Sequence, residues 1–122
     1  MRIAVVCYKD HDPKIETAVA AFGFAKDNMS DYVTKVLDFS DPRAAAEFIQ
    51  KVEVGGGSDF AEAVMDGLHD AVNVLTWREE AQRIIVHITD APPHGDDYTK
   101  RLKVLDNFPK GCPCRHNIER IS

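Results

Sequence analysis

Three stretches of this 122-residue chain predict an α/β domain. The run Ile84 to Ile88 is apolar apart from His87, is β-branched at Ile84, Ile85, Val86 and Ile88, and leads into Thr89, Asp90 and the pair Pro92 and Pro93. Such a run reads as a short strand buried on both faces and stopped by turn formers. Arg2 to Tyr8 (R-I-A-V-V-C-Y) has the same character. Between the two lie segments whose apolar residues recur at helical spacing. Asp90 therefore falls at the carboxyl end of a strand, the edge of an open α/β sheet where loops converge and ligands bind.

Composition narrows the function classes. Apolar residues make up 44% and charged residues 29%, which is ordinary for one globular domain with one core. A net charge of −5 with no block of Lys or Arg argues against a nucleic-acid partner and favours a small molecule, a cation or a protein. No apolar run reaches transmembrane length, and Met1 to Tyr8 lack the features of a signal peptide, so a cytoplasmic protein with no membrane partner is expected. Three cysteines, with Cys7 inside an apolar run, do not indicate a disulfide framework.

The first strand ends in Lys9, Asp10, His11 and Asp12 before Pro13. Two strands that each deliver carboxylates and a histidine to one sheet edge form a candidate constellation, although acidic residues at strand ends are more often solvated turns. Lys14 to Asn28 carries Ile15, Val19 and Phe22 at roughly helical spacing, interrupted by Gly23, and is read as a helix. Tyr32 to Phe39 partly alternates β-branched and aromatic residues with polar ones, which predicts a strand exposed on one face. Asp41 followed by Pro42 is a helix start, with Ala45, Phe48, Ile49 and Val52 on one face and Gly55, Gly56 and Gly57 as its stop.

Those glycines let the backbone approach a ligand closely. Ser58 and Asp59 follow, then a predicted long helix whose apolar face is Phe60, Val64, Leu68, Val72 and Leu75. Asp59 and Glu62 have the spacing of a capping box, so a helix cap accounts for one of Ser58 and Asp59 without any ligand. A phosphate site is excluded, because no lysine follows the glycines. After Gly95, Asp96 or Asp97 caps a predicted helix reaching about Asn107, with Tyr98, Leu102 and Leu105 as its apolar face. In the tail, Cys112, Cys114 and His116 offer three metal ligands, but their spacing is tighter than structural zinc sites use and no fourth ligand is evident, so loop cysteines are the expectation. His87, three residues back from the strand end, is expected to be a core histidine.

In order, Y-K-D-H at 8 to 11, Y-V-T-K-V-L-D-F at 32 to 39, G-G-G-S-D-F-A-E-A-V at 55 to 64 and T-D-A-P-P-H-G at 89 to 95 resemble a von Willebrand factor type A (VWA) domain, and more narrowly the subgroup found beside alpha-type protein kinases. The resemblance covers most of residues 2 to 98. It implies a Rossmann-like three-layer sheet with helices on both faces and a metal-ion-dependent adhesion site at the carboxyl edge, where magnesium would leave a position for a carboxylate of a partner protein. Carried onto this sequence, the metal residues are Asp90 as the last ligand, Ser58 or Asp59 in the middle position and Asp10 beside them, with Gly55, Gly56, Gly57 and His94 forming the ligand-binding loop.

The departures from the family pattern are specific. The serine loop D-x-S-x-S does not occur, and the chain opens where the family's second strand would begin, so residues 1 to 122 are expected to form a single VWA-like domain lacking the first strand and the last ones. Magnesium binding is then expected to be weak or absent. The gap left between the strands at 2 to 8 and 84 to 89 would be closed by direct pairing, by a strand of a second copy in a homodimer, or by sequence outside a fragment. Two functions follow: a protein-binding module with no catalysis of its own, any kinase activity belonging to a separate domain, or a small metal-dependent hydrolase using Asp10, His11, Asp12, Asp90 and His94.

Overall fold

A computed structural model describes residues 1–11, 33–53, 55 and 59–121. The element order is β1 (Ile3–Tyr8), β2 (Thr34–Ser40), α1 (Pro42–Lys51), α2 (Val64–Asn73), α3 (Asp96–Thr99) and α4 (Ile118–Ile121). The described sheet has two antiparallel strands, β1 and β2, in a register running from Ile3 opposite Ser40 to Tyr8 opposite Thr34, with an irregularity between Ile3 and Val5. The architecture is mixed α/β. The helix expected over Lys14 to Asn28 lies outside the described residues.

Local sequence accounts for α1 well. Asp41 Oδ1 accepts from the backbone amides of Arg43, 2.9 Å, and Ala44, 3.1 Å, and Pro42 occupies the position where no amide is needed. Ala45 is its buried residue, whereas Ile49 is exposed. The core lies instead around α2, whose Val64, Met65, Gly67 and Ala71 are buried. That face is rotated from the expected one: Phe60 and Val72 face solvent. The reason is the late helix start. Ala63 is the N-cap with no side-chain cap, so neither Asp59 nor Glu62 closes a capping box. At Gly67 an added Cβ would lie 2.5 Å from Tyr8 Cδ1, so α2 lies against β1 at a distance only glycine allows. Thr34 Oγ1 donates to Asp70 Oδ2 at 2.6 Å and ties β2 to the same helix.

The stretch expected to be the central buried strand differs most. Residues 82–89 belong to no ladder, and Ile84, Val86 and Ile88 are 69%, 78% and 86% exposed. Val6, Cys7 and Tyr8 of β1 face Ile88, Thr89 and Asp90 across a groove also lined by Glu62, and Tyr8 Oη lies 2.8 Å from His87 Nε2. The two runs therefore sit side by side without pairing, and β1, half-buried throughout, has one ladder partner among the described residues. His87 is exposed, not a core histidine.

The predicted helix from Asp96 to Asn107 shrinks to the single turn of α3, leaving Tyr98, Leu102 and Leu105 exposed. Asp106 is the cause. It folds back beneath α3, where Oδ2 accepts from the Gly95 amide at 2.8 Å and stands 3.1 Å from Thr99 Oγ1. Helix α4, not anticipated from the sequence, buries Ile121 and packs on α2.

Candidate functional site

The end of β1 places Asp10 and His11, both buried, among three other segments. Next to them run the turn that follows the glycines, at 59–63, and the loop Ala91 to Gly95. These are joined by a parallel bridge between Glu62 and Pro93 and by the Glu62 amide donating to Pro92 O at 2.9 Å. Asp59 Oδ2 accepts from the Asn107 amide, and Phe60 donates to Leu105 O at 3.2 Å. Segments far apart in sequence thereby meet over a few ångströms.

His94 is the centre of this meeting. Its Nε2 donates to Asp10 Oδ1 at 2.6 Å and its Nδ1 to Asp106 Oδ1 at 2.9 Å, with the imidazole and the Asp10 side chain wholly shielded from solvent. Burial pulls the imidazole pKa down, but the two carboxylates outweigh it and leave it raised. Each ring nitrogen faces a carboxylate oxygen, an arrangement that favours the protonated imidazole and engages both nitrogens. Burial pushes the Asp106 carboxyl up, yet amides of Gly95 and Phe108, His94 and Thr99 together hold it below the ordinary range.

Two carboxylates converge with His94, and the charge of a third, Glu62, is felt beside them. Asp10 and Asp59 offer oxygens that lie with a His94 nitrogen inside 4.8 Å. Desolvation first, then the charge of Asp10, raises both the Asp59 and the Glu62 carboxyl; Asp59 and Asp90 add to the effect at Glu62. Asp10 Oδ2, Asp59 Oδ1 and Glu62 Oε2 are buried oxygens without a hydrogen-bond partner among the described residues. Buried carboxylate oxygens left in this way are costly unless a cation meets them. Such an all-oxygen set fits a hard divalent ion such as magnesium.

The expected site residues fall into three groups. Asp10, Asp59 and His94 are brought together, with His94 as counter-ion and not as part of an open loop. Asp90 is exposed on the rim of the groove beside Tyr8, Glu62 and Thr89. Ser58, Gly56, Gly57 and Asp12 lie outside the described residues, and Gly55 is exposed with open space around it. Sequence reading passed over Glu62 and Asp106. Glu62 was absorbed into a helix cap that does not form, and Asp106 into a helix that stops at Thr99.

A second cluster abuts the first. His11 Nε2 lies 3.0 Å from Asp66 Oδ2 and 3.1 Å from Cys112 Sγ, and Asp66 Oδ2 is 2.8 Å from Cys112 Sγ and 3.0 Å from Cys114 Sγ. His116, grouped with the cysteines by sequence, stacks instead on His69 with ring centroids 3.9 Å apart. Phe108 packs on both clusters, meeting the rings of His11 and His94 edge-on at 5.9 and 5.0 Å, and the two imidazoles themselves lie 6.1 Å apart.

Among the described residues no helix is long and apolar enough to cross a membrane. No family model matches the chain, and no solved structure matches it. An alpha-protein kinase, vwkA of Dictyostelium discoideum, is 32% identical to it over 96 residues, 75% of this chain. The chain spans 15% of the length of that relative.

Proposed function

We propose that the chain is a protein-binding module of the VWA type, with the three-layer architecture of that family, in which Asp10, Asp59 and Glu62 hold a magnesium ion and Asp90 stands at the rim. The observation that carries this reading is the meeting of Asp10 and Asp59 beside His94, each with a buried carboxylate oxygen that lacks a hydrogen-bond partner among the described residues, and Glu62 nearby with a third. A magnesium ion there would offer open coordination positions to a carboxylate from a partner protein. Asp10 is held in place for this by the His94 imidazolium, which in turn leans on Asp106. The identity with an alpha-protein kinase supports the family resemblance carried by T-D-A-P-P-H-G and the glycine turn, and the portion shared is too small to bring the kinase activity with it.

The hydrolase reading has less support, since both His94 nitrogens are engaged by carboxylates and the His11 Nε2 is turned toward Asp66 and Cys112. Calorimetric titration with magnesium and manganese tests the proposal. Saturable binding in the wild-type chain, abolished in Asp59→Asn and weakened in Asp90→Ala, is expected, followed by magnesium-dependent capture of acidic peptides. Equal heats in wild type and Asp59→Asn would overturn it, and turnover of generic phosphate or ester substrates with manganese would favour the hydrolase. The groove between β1 and residues 84–89 supports self-association as well. Sedimentation velocity should then detect dimers as concentration rises, and a strictly monomeric profile removes that partner.

A further inference from the structure

We propose that the reduced chain binds one zinc ion in a closed site made by His11, Asp66, Cys112 and Cys114. One ligand atom from each of these four residues lies within 4.8 Å of all the others. They come from three places in the fold: the segment that follows β1, the first turn of α2, and the C-x-C loop that follows the positive-φ turn at Gly111. His11 is fully buried and Cys112 is buried, so the donors face inward and not toward solvent. The proposal is independent of the magnesium reading, which uses none of these residues.

Donor chemistry selects the metal. Two thiolates, an imidazole nitrogen and one carboxylate oxygen suit zinc and suit neither magnesium nor calcium, which want oxygen alone. A tetrahedral zinc with Zn–S near 2.3 Å and Zn–N or Zn–O near 2.0 Å has edges of ~3.3–3.8 Å. The separations of 2.8 to 3.1 Å around Asp66 and His11 need to open by less than about 1 Å to admit the ion, and the two sulfurs, bonded to each other in this structure, must part further once reduced.

Cys112 and Cys114 are joined as a disulfide in this structure, and the Asp66 carboxylate favours their reduction. Its Oδ2 faces both sulfurs. A disulfide has no S–H to donate, so in that state the carboxylate lone pairs would confront sulfur lone pairs. Two thiols resolve the contact by donating their protons; zinc resolves it by replacing those protons, which leave to solvent as the thiolates bind.

The C-x-C spacing is tighter than the usual zinc pair. The remaining ligands lie 46 and 101 residues from Cys112, which is why the tail alone showed three donors with the wrong third member. Zinc bound here would fasten the tail to β1 and α2.

The test uses the whole chain, stripped of metal by chelation and kept in a phosphine reductant, which converts any Cys112–Cys114 disulfide to two thiols while the phosphine is oxidised to its oxide with oxygen from water. Cobalt(II) is titrated first. One equivalent should give a thiolate-to-cobalt band in the near ultraviolet and the intense visible bands of a tetrahedral site, both erased by one equivalent of zinc and untouched by excess magnesium. In competition against a chromophoric chelator, the double substitution Cys112→Ser and Cys114→Ser should weaken zinc at least ~100-fold and Asp66→Asn at least ~10-fold, while Asp59→Asn leaves it unchanged. Should the double variant fail to fold, the wild-type spectrum and Asp66→Asn carry the decision. Absence of the charge-transfer band in the fully reduced wild type, or equal zinc affinity in wild type and Asp66→Asn, overturns the site.

Discussion

Asp10 and His11 are consecutive, yet they serve two clusters of opposite chemistry. Asp10 joins Asp59 and Glu62, an oxygen-only group backed by the His94–Asp106 pair; His11 joins Asp66 and two cysteines, a group of mixed nitrogen, oxygen and sulfur. The oxygen cluster is underpaired, with three buried atoms lacking partners, and it opens toward the groove at Asp90. The sulfur cluster is saturated by its own members and closed. One holds buried carboxylate oxygens that lack partners, suited to a hard ion, the other holds donors that already meet one another, suited to a permanent one. Adjacent backbone positions thus acquire different roles because a strand end sends successive side chains to opposite sides.

Removing the shared scaffold should have the largest effect. His94→Ala leaves the Asp10 and Asp106 carboxylates buried without their counter-ion, an expected loss of about 3–5 kcal/mol in denaturant unfolding. A milder break is Asp106→Asn, which keeps the shape but weakens the charge-assisted bonds to His94, Gly95 and Phe108, at about 1.5–3 kcal/mol. Because the folded Asp106 carboxyl titrates below its ordinary range, its contribution is complete above the unfolded value near 3.9 and is lost as pH falls through the lower folded value. The Asn variant should therefore show a flatter fall of stability in acid than wild type.

The underpaired state of the oxygen cluster makes an opposite prediction. Glu62→Gln removes one of the repelling charges and should raise metal-free stability by about 0.5–2 kcal/mol while abolishing the rise in melting temperature that magnesium gives the wild type. A variant less stable than wild type without metal would show that the cluster is not repulsive and erase the contrast. Smallest and most neutral is Asp41→Ala, which removes the exposed cap of α1, at about 0.5–1 kcal/mol, and should alter neither magnesium nor zinc affinity.

What could be read from sequence followed locality. The strand Ile3–Tyr8 is legible as an apolar run, Thr34–Ser40 as partial alternation and the helix Pro42–Lys51 as an Asp-Pro start, signals complete within a few residues. The run at 84–88 had the right composition for a buried strand and is nevertheless exposed, because burial of a strand depends on neighbours that its own residues do not encode. Likewise the acidic edge was expected from Asp10 and Asp59, whereas Glu62 became visible only when α2 began at Val64 and left it uncommitted. Asp66 carried no signal, and His11 stood out only as a hydrolase candidate beside Asp10, not as a partner of the cysteines. Their meeting with the cysteines is a property of packing, set by contacts across 46 to 101 residues.

Gly67 follows Asp66 directly and sits where a methyl group would press 2.5 Å from the Tyr8 ring. It therefore works as a spacer of zero thickness: any bulkier residue would push the first turn of α2 off β1 and withdraw the Asp66 carboxylate from the imidazole and sulfurs it now touches. A hydrogen atom in place of a side chain thus fixes the tolerance to which a site one residue away is assembled.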